Sequence, residues 1–174
     1  MRLKFSYSIW LMPTGTVNEK LSPIISKLSA KYNSPKFQPH VTLIGGFTGD
    51  EQDLINKTEI LSKKLKCFVV KLTNVHYLDQ FFRSLFICVE KTPELMNAVK
   101  VARGVFGLPE NKDYIPHLSL MYGDFTKEIK EVIIKDIGKD FSTSFRANKI
   151  HLVFNNEQDN IWAKIKELPI KINA

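Results

Sequence analysis

Two short stretches of the chain, PHVTLIGGFT at residues 39–48 and PHLSLMYGDFT at residues 116–126, are versions of one pattern. Each begins with Pro-His, continues with an apolar residue and a hydroxyl residue, and then has Leu. The two histidines, His40 and His117, are 77 residues apart. A repeated packing unit explains the apolar residues. It does not explain the repeated His and hydroxyl residues, which are the side chains that a polar reaction uses.

The repeat extends beyond these stretches. With a constant offset of 77 residues and no gap, Trp10 matches Ile87 and Phe37 matches Tyr114. Each half reads as a strand, a helix, a loop with an aromatic residue, a Pro-His strand and a second helix. Because strands and helices do not alternate strictly, the pattern favours an α+β fold with antiparallel sheets. We expect residues 1–174 to form one bilobal domain, with two lobes related by a pseudo-twofold axis, sheets lining a central cleft and helices outside.

Local patterns predict the individual elements. Asn18 is expected to cap the first helix, Asp50 opens the second, and Thr92 and Thr126 begin the third and fourth. The stretch FRANKIHLVFN, residues 145–155, reads as one strand near the end of the chain.

Strand geometry predicts where the repeated polar residues point. Residues i and i+2 of a strand project from the same face, so His40 and Thr42 project together, as do His117 and Ser119. The proline before each His lacks a backbone donor, which suits a strand that begins at the rim of a cleft. If the two lobes face each other, two imidazoles and two hydroxyls meet in one cleft.

Such a group of side chains suits acid–base chemistry at a phosphate. One neutral imidazole takes a proton from the attacking water while the other, protonated, gives a proton to the leaving oxygen. Both states are accessible near pH 7 because the ordinary pKa of His is about 6.5. The hydroxyls of Thr42 and Ser119 can hold the phosphate oxygens that do not react. Such a site needs no metal and no cofactor.

Other readings of these histidines are weaker. A metal site needs at least three ligands, and neither repeated motif supplies a Cys, a carboxylate or another His. A Ser-His triad needs its Ser on a sharp elbow, whereas Ser119 lies inside a strand. His76 and His151 have no hydroxyl partner in a repeated frame, so they are expected to be structural.

Composition gives broader limits. The chain has 44% hydrophobic and 25% charged residues with a net charge of +7, which favours anionic ligands, although no run of five like charges occurs. Cys67 and Cys88 match no metal or redox spacing and are expected to be buried free thiols. The apolar stretch before Pro13 is too short for a signal peptide, and no segment is long enough to span a membrane. We expect a cytoplasmic monomer.

The residues around the repeated motifs carry a family resemblance. The blocks are YSIWLMP (7–13), SPKFQPHVTL (34–43), FFRSLFICVEKTPELM (81–96) and YIPHLSLMYGDFTKE (114–128). Together with the two His-x-[Ser/Thr] motifs, they resemble the 2H phosphoesterase superfamily, and within it the cyclic phosphodiesterase branch best known from plants. The similarity runs from about residue 7 to residue 128 in the chain.

This resemblance implies a bilobal α+β fold and a metal-independent hydrolase. The implied substrates are nucleoside 2′,3′-cyclic phosphates, giving 2′-phosphates, and ADP-ribose 1″,2″-cyclic phosphate, a by-product of tRNA splicing, giving ADP-ribose 1″-phosphate. The residues that match the family's motifs are the acid–base pair His40 and His117, the phosphate-holding Thr42 and Ser119, and the cleft aromatics Trp10 and Tyr122.

Some positions depart from the plant pattern. Arg83 stands where the plant form has Gln, and it could contact a phosphate or a ribose. Tyr122 has the wrong strand parity relative to His117, so it reaches the cleft only if the strand ends or bulges at Gly123. The cysteines do not reproduce the plant set, and the loop around Gly45 is shorter, which bears on substrate size.

Two further functions remain open from the sequence. One is an RNA-acting 2H enzyme, a 2′,5′-phosphodiesterase or ligase or a 3′-end exonuclease, which would accept RNA 2′,3′-cyclic phosphate ends. Its expected basic track is not evident, because the positive charge is dispersed. The other is a module that binds cyclic phosphates or nucleotides without turning them over. The intact His and hydroxyl residues of both motifs weigh against that reading.

Overall fold

The computed structural model describes residues 5–171. In this range the chain forms eight strands, four α-helices and a 3-10 turn at Phe81–Arg83. The strands and helices are β1 Phe5–Leu11, α1 Gly15–Tyr32, β2 Val41–Phe47, α2 Glu51–Lys64, β3 Phe68–His76, β4 Leu85–Val89, α3 Pro93–Phe106, β5 His117–Met121, α4 Lys127–Ile137, β6 Asp140–Ala147, β7 Lys149–Asn156 and β8 Ile161–Pro169.

All eight strands belong to one sheet, in the order β6-β3-β4-β5-β2-β1-β7-β8. Every neighbouring pair of these strands is antiparallel. The predicted α+β class with antiparallel strands is confirmed. The sequence predicted a separate sheet in each half. Instead, β2 and β5 pair at the centre and join the two halves into one sheet.

The register at this seam reflects the sequence repeat. Val41 of β2 lies directly opposite Leu118 of β5, and these residues are 77 positions apart. Because the two strands are antiparallel and the paired residues are equivalent, the pseudo-twofold relation passes between them. The same register sets Thr42 opposite His117 and His40 opposite Ser119 on one face of the sheet.

The gapless offset of 77 fails in one place. Trp10 pairs with Thr42 across β1 and β2, whereas the residue that pairs with Ser119 is Phe86. The structural counterpart of Trp10 is therefore Phe86, not Ile87. The ladder has register irregularities at both points, and these shift the equivalence by one residue.

The helices begin largely where the sequence predicts. The side chains of Asp50, Thr92 and Thr126 each accept a hydrogen bond from the backbone N–H three residues later, as N-caps do. Helix α1 is the exception, because it begins at Gly15 after Thr14. Asn18 lies inside its first turns, where its side-chain oxygen accepts a hydrogen bond of 3.0 Å from the Ser22 hydroxyl.

Two helices cross from one half to the other. Helix α1 follows β1 but packs on β5 and β6 of the other half, whereas α3 follows β4 and packs both on β2 of the other half and on β3 of its own half. Helix α2 stays with its own side and packs on β7 and β8. The core thus contains side chains from both halves. None of the helices within residues 5–171 is long and apolar enough to cross a membrane.

The single strand expected at 145–155 is divided at Asn148. The Asn148 carbonyl accepts a hydrogen bond from Ile170, and the chain passes there from β6, at one edge of the sheet, to β7, next to the other edge. A one-residue connection between such distant strands requires the sheet to curve. The Cys67 N–H accordingly donates to the Lys171 carbonyl over 2.8 Å, beside the start of β3 and the end of β8.

Candidate active site

A cavity of about 240 Å³ lies on the seam between the two His strands. Its wall includes both imidazoles and both hydroxyl residues, as the strand parity predicts. The three other residues singled out from the sequence also line it. The full predicted set in the wall is therefore His40, His117, Thr42, Ser119, Trp10, Tyr122 and Arg83.

The two imidazoles are held in the same way. His40 Nδ1 lies 2.7 Å from the Gln38 carbonyl oxygen, and His117 Nδ1 lies 2.7 Å from the Ile115 carbonyl oxygen. A carbonyl only accepts hydrogen bonds, so each Nδ1 carries the hydrogen and each neutral ring has its lone pair on Nε2. In both cases the acceptor is the carbonyl two residues before the His, and a proline lies between the two residues. Nε2 is therefore the nitrogen of each ring that this backbone contact leaves free to act as a base.

Burial controls the charge of this pair. His40 is 5% exposed, and burial lowers its pKa to about 3, which the Gln38 carbonyl opposes and the charge of His117 reinforces. The half-buried His117 also has a lowered pKa, mainly from burial, with the Ile115 carbonyl acting against it and Arg83 adding to it. Both rings are therefore neutral at pH 7 in the free protein. An anionic phosphate between them would raise both pKa values and favour one imidazolium.

Aromatic rings support both histidines. The Trp10 ring stacks on the His40 ring with centroids 3.5 Å apart and planes 6° apart, and the Phe86 ring meets the His117 ring edge to face at 5.2 Å. Trp10 is 4% exposed, so little of its surface is left for a substrate base. We propose that Trp10 positions the His40 ring, because this stack covers one face of the imidazole.

The hydroxyl residues differ in their resting contacts. Ser119 Oγ donates to the Phe82 carbonyl over 3.2 Å and is also hydrogen-bonded to Tyr122. The Thr42 hydroxyl makes no hydrogen bond to any residue of the described range 5–171, while the Thr42 carbonyl accepts one from Tyr114. Both hydroxyls can turn to a phosphate oxygen without breaking backbone structure.

Tyr122 reaches the cavity because β5 ends at Met121. Gly123 has a φ of +136°, a region that side chains rarely adopt, and a Cβ there would collide with the Phe125 ring. The sequence predicted that Tyr122 would reach the cleft only if the strand ended or bulged at Gly123, and the strand ends just before this residue. Burial raises the pKa of Tyr122, so its hydroxyl remains protonated and can donate.

Arg83 ends the 3-10 turn and brings a positive charge to the cavity. Its side chain has no ion pair within residues 5–171. Lys130 of α4 stabilises the segment just before this turn. Its side chain is 1% exposed and donates hydrogen bonds of 3.0 Å to the Leu78 carbonyl and to Asp79. This buried lysine fixes the segment that carries both Arg83 and the Phe82 carbonyl.

The remaining histidines do not line this cavity. His76 is exposed at the end of β3, and the buried His151 of β7 lies opposite Trp10 in the β1–β7 ladder. Among residues 5–171 no cluster of three or more His, Cys, Asp or Glu side chains is arranged to hold a metal ion.

Comparison with known proteins identifies the family. The family described as cyclic phosphodiesterase-like protein matches residues 5–170. The chain belongs to this family. It is 28% identical over 160 residues to a cyclic phosphodiesterase of Arabidopsis thaliana, which covers 88% of this chain and 87% of the relative. It is 25% identical over 157 residues to a 2′,3′-cyclic-nucleotide 3′-phosphodiesterase of Yarrowia lipolytica, covering 67% of this chain and 73% of the relative.

Solved structures share the fold. The apo structure of Escherichia coli LigT matches with a TM-score of 0.67 and 13% identity over 95% of this chain and 97% of LigT. A Thermus thermophilus protein matches with a TM-score of 0.68 and 13% identity over 97% of this chain and 100% of its own. The resemblance to the 2H phosphoesterase superfamily is confirmed by these matches together with the family assignment.

Patterns within single strands do not predict the part of this family member's cavity that β7 and β8 contribute. Asn155 donates to Ser6 and Ser8, making a buried polar end of the cavity, and Trp162 packs on Tyr122 with centroids 5.6 Å apart. Glu157 and Phe82 complete this wall. The Ser6-Ser8-Trp10 alternation was the one sequence signal for it, because it marks the polar face of β1.

Proposed function

We propose that this protein is a cyclic phosphodiesterase that uses His40 and His117 as an acid–base pair. The observation that carries the proposal is the antiparallel register at Val41 and Leu118, which sets each His opposite the other motif's hydroxyl residue. Two proton-exchanging nitrogens and two hydroxyls then line one phosphate-sized space. Membership of the cyclic phosphodiesterase-like family supports the same activity.

The proposed reaction is hydrolysis of one P–O bond of the cyclic ester. Nε2 of one neutral imidazole takes a proton from water as the water oxygen forms a bond to phosphorus. Nε2–H of the other, protonated imidazole gives its proton to the ring oxygen that leaves. The hydroxyls of Thr42 and Ser119 hold the non-bridging oxygens as negative charge develops. After release of the ring-opened monoester, the two rings exchange their protons with solvent.

We propose nucleoside 2′,3′-cyclic phosphates, opened to 2′-phosphates, and ADP-ribose 1″,2″-cyclic phosphate, opened to ADP-ribose 1″-phosphate, as the substrates. The Yarrowia relative's name, 2′,3′-cyclic-nucleotide 3′-phosphodiesterase, supports the first class. The polar end of the cavity at Ser6, Ser8 and Asn155 offers hydrogen bonds to a ribose or a base. No step of this reaction requires a metal ion.

The decisive test is turnover by single variants. His40→Ala and His117→Ala are each expected to lower kcat/KM on 2′,3′-cyclic AMP by at least about 100-fold, the usual contribution of one general acid or base. His76→Ala is the matched control, because this exposed histidine lies outside the cavity. Phosphorus NMR of the product identifies which ester bond breaks.

Two results would overturn the proposal. The first is wild-type-like turnover by either active-site His variant, and the second is loss of wild-type activity with a chelator that returns when a divalent metal is added. A protein that binds the cyclic nucleotide tightly without releasing product would be a binding module instead.

A further inference from the structure

A second cavity, of about 390 Å³, lies along β7 and β8 beside the first. Its wall combines the start of α1, the segment before His40 and the two strands, with the side chains of Asn18, Gln38, His151 and Lys164 among those that line it. The reaction proposed above uses none of these side chains. Its volume of about 390 Å³ is sufficient for a nucleoside with a phosphate and exceeds the 240 Å³ of the cavity between the two His strands.

A buried polar atom in this wall lacks a partner. His151 is 5% exposed, and its Nδ1 makes no hydrogen bond within the part of the chain that the structure describes. The nearest carboxylate oxygen, on Glu167, is 3.4 Å away, which is within ion-pair range but not in hydrogen-bond geometry. Buried polar groups are normally paired, so an unpaired nitrogen at a cavity wall indicates a place for a ligand or a water.

The charge of this wall favours an anion. The Glu167 carboxylate is held by Lys149 Nζ at 2.5 Å, so these two charges offset each other. Lys164 has no ion pair within residues 5–171, and neither has Lys36 on the neighbouring loop. A phosphate bound at Lys164 would therefore break no ion pair between the described residues.

The two cavities are joined. A groove between them is lined by Trp10 and Trp162, which also line the catalytic cavity, and by Gln38 and Lys164, which also line the second cavity. Lys36 lies in the same groove. Trp162 is half-buried, and an indole between two binding spaces is suited to stacking on a base.

We propose that the second cavity binds a second, phosphate-linked nucleotide unit of the substrate, with Lys164 and Lys36 holding the linking phosphate. This inference rests on the proposed function, because the first unit is the cyclic phosphate held between His40 and His117. A ribose with a cyclic phosphate carries such an extension from its 5′ position. The link is a pyrophosphate in a dinucleotide such as ADP-ribose and a phosphodiester in an RNA end.

The test compares three substrates on two matched variants. The substrates are 2′,3′-cyclic AMP, a diribonucleotide ending in a 2′,3′-cyclic phosphate, and ADP-ribose 1″,2″-cyclic phosphate. Lys164→Ala removes the proposed contact. Lys166→Ala removes the same charge from the same strand, but the ladder irregularity between Leu152 and Val153 turns Lys166 to the other face, near Glu59.

Lys164→Ala is expected to lower kcat/KM about fivefold on an extended substrate and less than about twofold on cyclic AMP, the scale of one partly exposed charge contact. Lys36→Ala should act in the same direction and Lys166→Ala should change nothing. A loss confined to ADP-ribose cyclic phosphate assigns a pyrophosphate link, and one confined to the diribonucleotide assigns an RNA end. Equal effects on all three substrates, or none on either extended substrate, would overturn the proposal.

Direct binding separates this inference from the activity. ADP carries no cyclic phosphate, and its dissociation constant measured by calorimetry is expected to rise about fivefold in Lys164→Ala and to stay constant in Lys166→Ala. If the wild type turns over none of the three substrates, the proposed function fails and the calorimetry alone decides the anion site. If cyclic AMP is turned over but ADP binding is unaffected by Lys164→Ala, the second site is wrong and the activity stands.

Discussion

The hydroxyl of Tyr114 donates a hydrogen bond of 2.9 Å to the carbonyl of Thr42, 72 residues earlier in the chain. This bond crosses from the loop before one His strand to the start of the other His strand. Phe37, the sequence counterpart of Tyr114, reaches the opposite way and stacks on Tyr122 at 4.0 Å. The two aromatic loop residues thus fix the His strands to each other from both sides.

Tyr114→Phe is therefore expected to weaken both the fold and the site. Removing the hydroxyl takes this partner from the part-buried Thr42 carbonyl, at a cost of about 0.5–1.5 kcal/mol in the free energy of unfolding. Urea denaturation measures this loss. The matched control is Tyr77→Phe, which removes a hydrogen bond to Glu131 on the surface and should cost less than about 0.5 kcal/mol. Equal losses in the two variants would show that the contact between the halves is unimportant.

The stacking of Trp10 on His40 makes a prediction about the titration of His40. Trp10→Phe keeps an aromatic ring but uncovers part of the imidazole, so the pKa of His40 should rise from about 3 toward its ordinary value of 6.5. Proton NMR of the His40 ring follows this shift directly. Trp162→Phe is the control, since Trp162 lines the same cavity without a ring contact to His40. An unchanged His40 titration in Trp10→Phe would contradict the positioning role.

Stability should fall with acid in a window set by His40. Its pKa is lowered on folding, so between pH 6.5 and about 3 the unfolded chain binds a proton that the folded chain does not. The free energy of unfolding therefore decreases as pH falls through this window, by up to about 1.4 kcal/mol per pH unit for one group. His117, with a lowered pKa, acts in the same direction.

His40→Asn tests this pH dependence, because the Asn amide can still donate toward the Gln38 carbonyl but does not titrate. Urea unfolding at pH 7, 6 and 5 should give a smaller loss of stability for the variant than for the wild type. Identical slopes for both proteins would mean that His40 does not control acid stability.

The hydroxyls of Thr42 and Ser119 should matter for catalysis more than for stability. Thr42→Val and Ser119→Ala each remove one donor to the developing phosphate charge, and kcat/KM on 2′,3′-cyclic AMP is expected to fall about 100-fold. Thr42→Ser, which keeps the donor, should retain most of the activity. A Thr42→Ser variant as inactive as Thr42→Val would assign Thr42 to packing at Gly45, where an added Cβ would lie 3.2 Å from Thr42 Cγ2, instead of to the phosphate.

Local sequence predicted the direction of a side chain correctly where that direction depends on one strand alone. The i, i+2 spacing of His40 with Thr42 and of His117 with Ser119 gave their common face, and Gly123 gave the exit of Tyr122 from the strand. Long-range pairing was not encoded in any such pattern. Asn155 and Trp162 enter the cavity only because β7 pairs with β1 and β8 with β7, which no local spacing reveals.

Other differences also have a non-local origin. The strand pattern places Trp10 on the Ser6-Ser8 face of β1, but only the pairing of Trp10 with Thr42 brings its ring onto His40. The division of the 145–155 stretch at Asn148 depends on the hydrogen bond from Ile170, far along the chain. The one-residue shift that makes Phe86 the counterpart of Trp10 arises from ladder irregularities that an ungapped alignment cannot contain.

Helix α1 packs on strands of the other half, and α3 packs on β2 of the other half as well as on its own β3. A chain cut between the halves would leave α1 without the strands β5 and β6 that it covers. Each half also carries one of the two His strands, so neither half alone would hold both imidazoles. Fusion of two identical, helix-exchanging repeats is one origin that would give this connectivity.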